Sequence, residues 1–196
     1  MILLNIDSVN CAGKTTLINN LIEHYTKNGL RVGTKHFPQY QSPIGGVILS
    51  ALKNEIDINP SSFQMLCSAD RLEFTIKEYP TLHNQFDLYI VDRYSSSAVV
   101  YGGMEGVEIE EIIYTSRNLA KPDLQIILFL DTATAVERLE SRGEQLRKYD
   151  NAESIEKASK LYFELDKHMD NIVYVDASQT REEVLSEVIQ IIDKII

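Results

Sequence analysis

The ten residues from Asp7 to Thr16, DSVNCAGKTT, follow a short apolar run, Ile2 to Ile6, and lead into Leu17, Ile18, Leu21 and Ile22 at helical spacing. That succession of strand, tight turn and amphipathic helix, with Gly13-Lys14-Thr15 at the turn, is the context of a phosphate-binding loop. In such a loop the backbone N–H groups of Ser8, Val9, Asn10, Cys11, Ala12, Gly13 and Thr16 would wrap a triphosphate. Lys14 would reach the β and γ phosphates as a mobile point charge, and the Thr15 hydroxyl would join the coordination of Mg²⁺. The usual pattern opens on glycine; Ser8 stands there in this chain, which removes backbone freedom where the loop turns.

The 196 residues, 44% apolar and 24% charged, fit one domain, 1–196, with a sizeable core. A formal net charge of −10 argues against nucleic acid or an anionic membrane as the main partner, since both select basic faces, and leaves small anionic ligands open. Cys11 and Cys67 are too few for a disulfide framework, and no apolar stretch is long enough for a signal or spanning helix. A reduced, cytoplasmic setting is therefore expected. Within the acidic chain, Arg138 to Lys148 carries four basic residues against two acidic ones, a local reversal of sign.

Short apolar runs alternate with longer helical stretches, the pattern of βαβ units around a parallel sheet, so the fold class is α/β. Five strands are expected at Ile2 to Asp7, Leu30 to Lys35, Leu88 to Asp92, Leu124 to Asp131 and Ile172 to Asp176, each apolar on both faces. Asn28-Gly29 ends the first helix, Asn59-Pro60-Ser61 opens a long one running towards Gln85, and Thr180 to Ile196 is helical. Three strands end in or run into aspartate, at Asp7, Asp92 and Asp131. Ligands of open α/β sheets collect beyond the carboxyl ends of strands.

The third strand, LYIVDRYSSS, gives a second constellation. Asp92 would hold Mg²⁺ or its waters, and Arg93 would point into the same crevice, where a planar guanidinium clamps phosphate in two places. Alone, Asp-Arg reads as a strand-end ion pair; sharing a sheet edge with a phosphate loop, it reads as part of the same site.

These residues together resemble the thymidylate (dTMP) kinases over essentially the whole chain. Phe37-Pro38 followed by Ile44-Gly45 is similar to the family's Phe-Pro-x-Arg segment, Ser68-Ala69-Asp70-Arg71 to its Ala-Asn/Asp-Arg helix motif, and Asp92-Arg93-Tyr94 to Ser97 to its Asp-Arg-Tyr-x-x-Ser signature. Val175-Asp176-Ala177-Ser178 resembles the loop bordering adenine, and Arg142-Gly143-Glu144 with Tyr149-Asp150 resembles the lid, about 139–151. The resemblance implies a P-loop NTPase three-layer sandwich, a five-stranded parallel sheet flanked by helices, and a homodimer.

It also implies that the 5′-phosphate of dTMP attacks the γ-phosphorus of MgATP in line, giving a diphosphate and ADP. Rate would come from alignment and charge neutralisation, because the attacking oxygen is already anionic. By resemblance, Arg93 would hold the acceptor phosphate, Arg71 would contact the base, Lys14 would steady the γ-phosphate, and Asp92 and Thr15 would manage the magnesium. Ala177 and Ser178 would border adenine. Family members bring a further arginine from the loop or the lid; Cys11 holds the loop position, leaving Arg142 and Arg147 as lid candidates. Lys148 falls near the adenine-stacking arginine, where a lysine stacks less well.

The departures gather in the acceptor pocket. Asn10 replaces the loop aspartate that binds the sugar 3′-hydroxyl, Tyr40 stands where an arginine is expected, and Cys67 stands where a phenylalanine commonly stacks on the base, a loss of about 1 kcal/mol. Phe37 remains available to the base, Ser97 would bond to its edge, and Tyr101 would exclude ribonucleotides; core packing accounts equally for Phe37 and Tyr101. Three alternatives stand beside dTMP phosphorylation: a kinase of broader deoxymonophosphate range that accepts dUMP, a deoxynucleoside kinase with Asp7 as base beside a substrate hydroxyl, and a catalytically dead nucleotide-binding module.

Overall fold

The computed structural model describes residues 1–141 and 148–196; Arg142 and Arg147 lie outside the described residues. Five strands, β1 (Ile2–Ser8), β2 (Val32–His36), β3 (Leu88–Asp92), β4 (Leu124–Phe129) and β5 (Ile172–Asp176), form one parallel sheet in the order β2-β3-β1-β4-β5. The expected α/β architecture is thus present. The central strands β1, β3 and β4 are buried, whereas the edge strands β2 and β5 are half-exposed, so uniform burial does not extend to the edges. An edge strand has only one neighbour to cover it.

Helices cover both faces: α1 (Lys14–Lys27), α2 (Pro43–Leu52), α3 (Pro60–Lys77), α4 (Tyr79–Leu82), α5 (Ser95–Met104), α6 (Ile109–Ser116), α7 (Thr132–Ser141), α8 (Ala152–Tyr162) and α9 (Arg181–Ile192). Alternation along β1 sends Leu4 and Ile6 into a cluster with Leu17, Ile18 and Leu21 of α1 and Val188 and Ile192 of α9. Leu3, on the other face, joins Phe37, Phe74, Tyr89 and Tyr94. Polar side chains also sit inside: Asn5 Nδ2 donates to Ser96 Oγ at 2.7 Å and to Gln125 Oε1 at 3.1 Å. Such burial persists because the groups satisfy one another.

Several boundaries differ from expectation, among them the start of β2, which is Val32 rather than Leu30. The long helix opens at Asn59, whose side chain caps Ser61 N, but stops at Lys77 rather than continuing towards Gln85. Pro80 supplies no N–H for the carbonyl four residues earlier and its ring crowds that carbonyl, so the long helix cannot run through it and the short α4 starts afresh with Pro80 in its first turn. β4 ends at Phe129 because Asp131 Oδ1 accepts from Thr134 N at 2.9 Å, capping α7. At the C-terminus, Thr180 and Glu183 form a reciprocal capping box and α9 closes at Ile192.

Strand register aligns the carboxyl ends that carry the chemistry. Asp92 lies opposite Ile6 on one side and His36 on the other, and Ser8 opposite Leu128. The chain leaves β1 beside the point where connections switch from one half of the sheet to the other, the usual crevice for ligands in this architecture.

Candidate active site

The phosphate loop runs from the end of β1 directly into α1. Ser8 is still strand, with its hydroxyl donating to Val9 O at 2.8 Å, so a glycine's freedom is not needed there. The left-handed positions fall instead on Cys11, φ 67°, and Gly13, φ 89°. Gly13 caps α1 without a side-chain hydrogen bond, which leaves the first-turn N–H groups to an anion. Lys14 is buried, and burial together with the Arg93 guanidinium pushes its ammonium below the ordinary lysine range. Its Nζ lies 2.5 Å from Asp92 Oδ1. The other oxygen, Asp92 Oδ2, is 2.9 Å from His36 Nδ1. Burial alone would raise the Asp92 carboxyl, but the His36 hydrogen bond and the Lys14 charge outweigh it and hold the group down at about 2.

Arg93 follows β3 with a left-handed backbone, φ 64°, a conformation that costs an arginine about 1 kcal/mol or more. The turn aims its guanidinium at the loop. One nitrogen donates to Asn10 Oδ1 and another to Tyr101 Oη at 3.3 Å. Asn10 Nδ2 donates in turn to Asp150, so a single amide links Arg93 to the residues just before α8. Arg71, on α3, braces the strained turn: its Nε and Nη2 donate to Arg93 O at 3.4 and 3.2 Å. Its Nη1 is buried without a partner among the described residues.

Asp7 does not face the cleft. It is fully buried, and its carboxylate accepts from Ser96 Oγ at 2.6 Å, from Ser97 Oγ at 2.7 Å, from Tyr162 Oη at 2.9 Å and from Ser8 N at 2.9 Å. Such saturation leaves no lone pair to take a proton from a substrate hydroxyl, which removes Asp7 from the substrate-binding set. Asp7 anchors the base of the loop instead, since Tyr162 also donates to Ser8 O at 3.0 Å. The same geometry commits the Ser97 proton, so towards the cleft Ser97 offers only acceptor capacity.

A cleft of about 700 Å³ brings together Ser8 to Thr16 with Phe37, Pro38, Tyr40, Cys67, Arg71, Asp92, Arg93, Ser97 and Tyr101. One sequence expectation changes within it. Phe37 is fully buried, with ring centroids 5.4 Å from those of Phe74 and Tyr94, so it packs into the core under the cleft rather than standing free to stack. Lys148 lies outside the residues that line the cleft, with Nζ 3.2 Å from Glu105 Oε2 and 5.3 Å from the Tyr149 ring centroid, so its charge is held in an ion pair with α5's C-cap. Ala177 and Ser178 lie outside this cleft, beyond β5, where Arg138 reaches Ala177 O at 3.4 Å.

A family model described as thymidylate kinase matches residues 6–188. The chain belongs to the thymidylate kinase family. The probable thymidylate kinase of Methanosphaera stadtmanae is 33% identical over 186 residues, covering 93% of each chain, and probable thymidylate kinase 1 of Saccharolobus solfataricus is 31% identical over 193, covering 98% of this chain and 97% of that one. The human thymidylate kinase is 29% identical over 95% of this chain and 87% of its own. In fold, the thymidylate kinase structure from Candida albicans superposes with a TM-score of 0.76 at 22% identity, over 98% of this chain and 91% of that one. The P-loop kinase architecture expected from the loop is therefore present, and the protein is a nucleotide-dependent phosphotransferase.

The thymidylate kinase site contains residues that sequence reasoning passed over. His36 ends β2 beside Asp92, and its position next to Phe37-Pro38 at a strand end was a usable signal. Tyr162 and Gln64 gave none, because on a helix their spacing reads as core. For Mg²⁺, the donor chemistry fits: Thr15 offers an exposed hydroxyl and Asp92 a carboxylate held ionised, the one-or-two-ligand set that this ion takes when phosphates complete its shell.

Proposed function

We propose that this thymidylate kinase transfers the γ-phosphate of ATP to the 5′-phosphate of dTMP, giving dTDP and ADP. The observation that carries the reading is the Arg93 guanidinium, held by a strained turn between the phosphate loop and the pocket of Arg71, Cys67 and Tyr101. A cation fixed there would clamp an acceptor phosphate in line with a donor over Lys14. The sealed Asp7 supports the same conclusion, because phosphorylation of a nucleoside hydroxyl needs a base and an acceptor phosphate does not.

In this reading Ser8 to Thr16 bind the donor phosphates through backbone N–H groups, and Ala177 and Ser178 border adenine. Asp92 and Thr15 hold Mg²⁺, which when bound neutralises charge on the phosphate oxygens. Arg142 or Arg147 completes the charge stabilisation from the lid, about 139–151. The unpartnered Arg71 Nη1 meets a carbonyl of the base, Asn10 and Asp150 take the sugar 3′-hydroxyl, and Tyr101 excludes a 2′-hydroxyl. ADP production with dTMP, dUMP, dCMP, dGMP and thymidine supplied separately tests this. A large preference for dTMP is expected; comparable rates with dUMP would indicate a broadened acceptor site, and activity on thymidine alone would overturn the assignment.

The protein acts as a cytoplasmic homodimer in this reading. Helix α3 turns Cys67, Arg71 and Phe74 inward and leaves Met65 and Ile76 51% and 63% exposed, and α6, which packs on α3, exposes Ile113 and Tyr114. An apolar stripe backing the site suits a second copy of the chain. A Met65→Glu/Ile76→Glu variant should sediment as a monomer where the wild type sediments as a dimer.

A further inference from the structure

Gln64 is 4% exposed, and among the described residues its amide has no hydrogen-bond partner. No group among the described residues satisfies this amide, so its polar atoms are left to whatever occupies the cleft, whereas a position with only a packing role would favour leucine or methionine. What remains open of Gln64 borders the cleft. On α3, Gln64, Cys67 and Arg71 follow the i, i+3, i+7 spacing and share a face, with two turns, roughly 10 Å, between the first and last Cα. Cys67 therefore lies between two long polar side chains, one of which, Arg71, also carries an unpartnered donor.

The neighbouring helix is shaped to hold the glutamine there. A Cβ at Gly102 of α5 would lie 3.0 Å from Gln64 Cγ and 3.1 Å from Cδ. With no side chain at 102, the Gln64 stem lies flat against α5, next to Tyr101 on the cleft wall.

We propose that Gln64 is a specificity-determining residue of the acceptor site, whose amide hydrogen-bonds the polar edge of the nucleobase while the ring lies over Cys67. The proposal rests on the reading of dTMP as acceptor. A 2,4-dioxopyrimidine presents acceptor, donor and acceptor in a row at O2, N3–H and O4. A primary amide has one acceptor and one donor group side by side, which match N3–H and the adjacent O2; Arg71 has donors only and takes O4. A 4-amino pyrimidine would bring a donor against the Arg71 donor and no N3–H for the Gln64 carbonyl. Contact through this edge replaces discrimination that a stacking ring at position 67 cannot supply.

The test compares wild type with Gln64→Leu and Gln64→Met, using dTMP and its N3-methyl derivative as acceptors. In the variants the dTMP KM should rise about tenfold, with the ATP KM and kcat within about twofold and the melting temperature no lower. Wild type should discriminate against the N3-methyl compound, and the variants should lose most of that discrimination. Unchanged dTMP KM in either folded variant overturns the proposal, as does a lowered melting temperature with unchanged discrimination, which would mark packing alone. Should the wild type fail to phosphorylate dTMP, the acceptor reading fails separately. Calorimetric dTMP binding then decides the contact: weaker binding by Gln64→Leu supports it, and equal binding overturns it.

Discussion

Lys14 Nζ and Asp92 Oδ1 lie 2.5 Å apart, so the loop lysine is already neutralised by the strand-end carboxylate, and incoming phosphate must compete for it. His36 holds the second oxygen, and the two partners keep the Asp92 carboxyl at about 2 against an ordinary 3.8. A depressed carboxyl stabilises the fold fully above its unfolded value and loses that contribution as pH falls through the folded one. Asp92 should therefore contribute about 2 kcal/mol that disappears between pH 4 and pH 2. Urea unfolding of wild type and Asp92→Asn across that range checks it: the two stability curves should converge towards pH 2. Parallel curves would show that the ion pair adds nothing to stability.

Arg93 joins function to strain. Arg93→Ala should lower kcat by about 10²–10³-fold while ATP binding stays near wild type, because a clamp on the acceptor acts in the transfer step. Arg93→Gly should lose as much activity yet be the more stable of the two by about 0.5–1 kcal/mol, since glycine adopts φ 64° without penalty. Equal loss of ATP affinity in a binding titration would sink the assignment.

Tyr162 ties α8 to the base of the phosphate loop through Asp7 Oδ1 and Ser8 O. Tyr162→Phe leaves the ring packed and removes only the hydroxyl, so chemical denaturation should report a loss of about 1–3 kcal/mol. A variant as stable as wild type would mean that the serine hydroxyls alone satisfy Asp7.

Burial pushes the Cys67 thiol up to about 11. At pH 8 its thiolate fraction is about a hundredfold or more below that of a free cysteine, and alkylation by iodoacetamide should slow by the same factor. Peptide mass spectrometry over time measures this; rapid labelling at Cys67 would show that the cleft opens further than the structure does.

Much of this arrangement was legible locally. Five strands, the Gly-Lys-Thr turn and the Asp-Arg end of β3 follow from runs of apolar residues broken by polar ones, which neighbours in sequence encode. The errors have physical causes too. Asp131 reads as a strand end but serves as a helix cap, and Phe37 reads as a base platform but is drawn into a cluster with Phe74 and Tyr94. Asp7 looks like an exposed strand-end acid until three hydroxyls from α5 and α8 close around it.

The sequence by itself determined the parallel α/β sheet, the phosphate loop and the chemical types at the strand ends, because each is written in residues a few positions apart. Only the tertiary structure decided which of those residues face one another. His36 reaches Asp92 across 56 positions, Asn10 reaches Asp150 across 140, and Tyr162 reaches Asp7 across 155. Those meetings depend on strand order and register, which arise from packing the whole sheet at once, and no local pattern carries them.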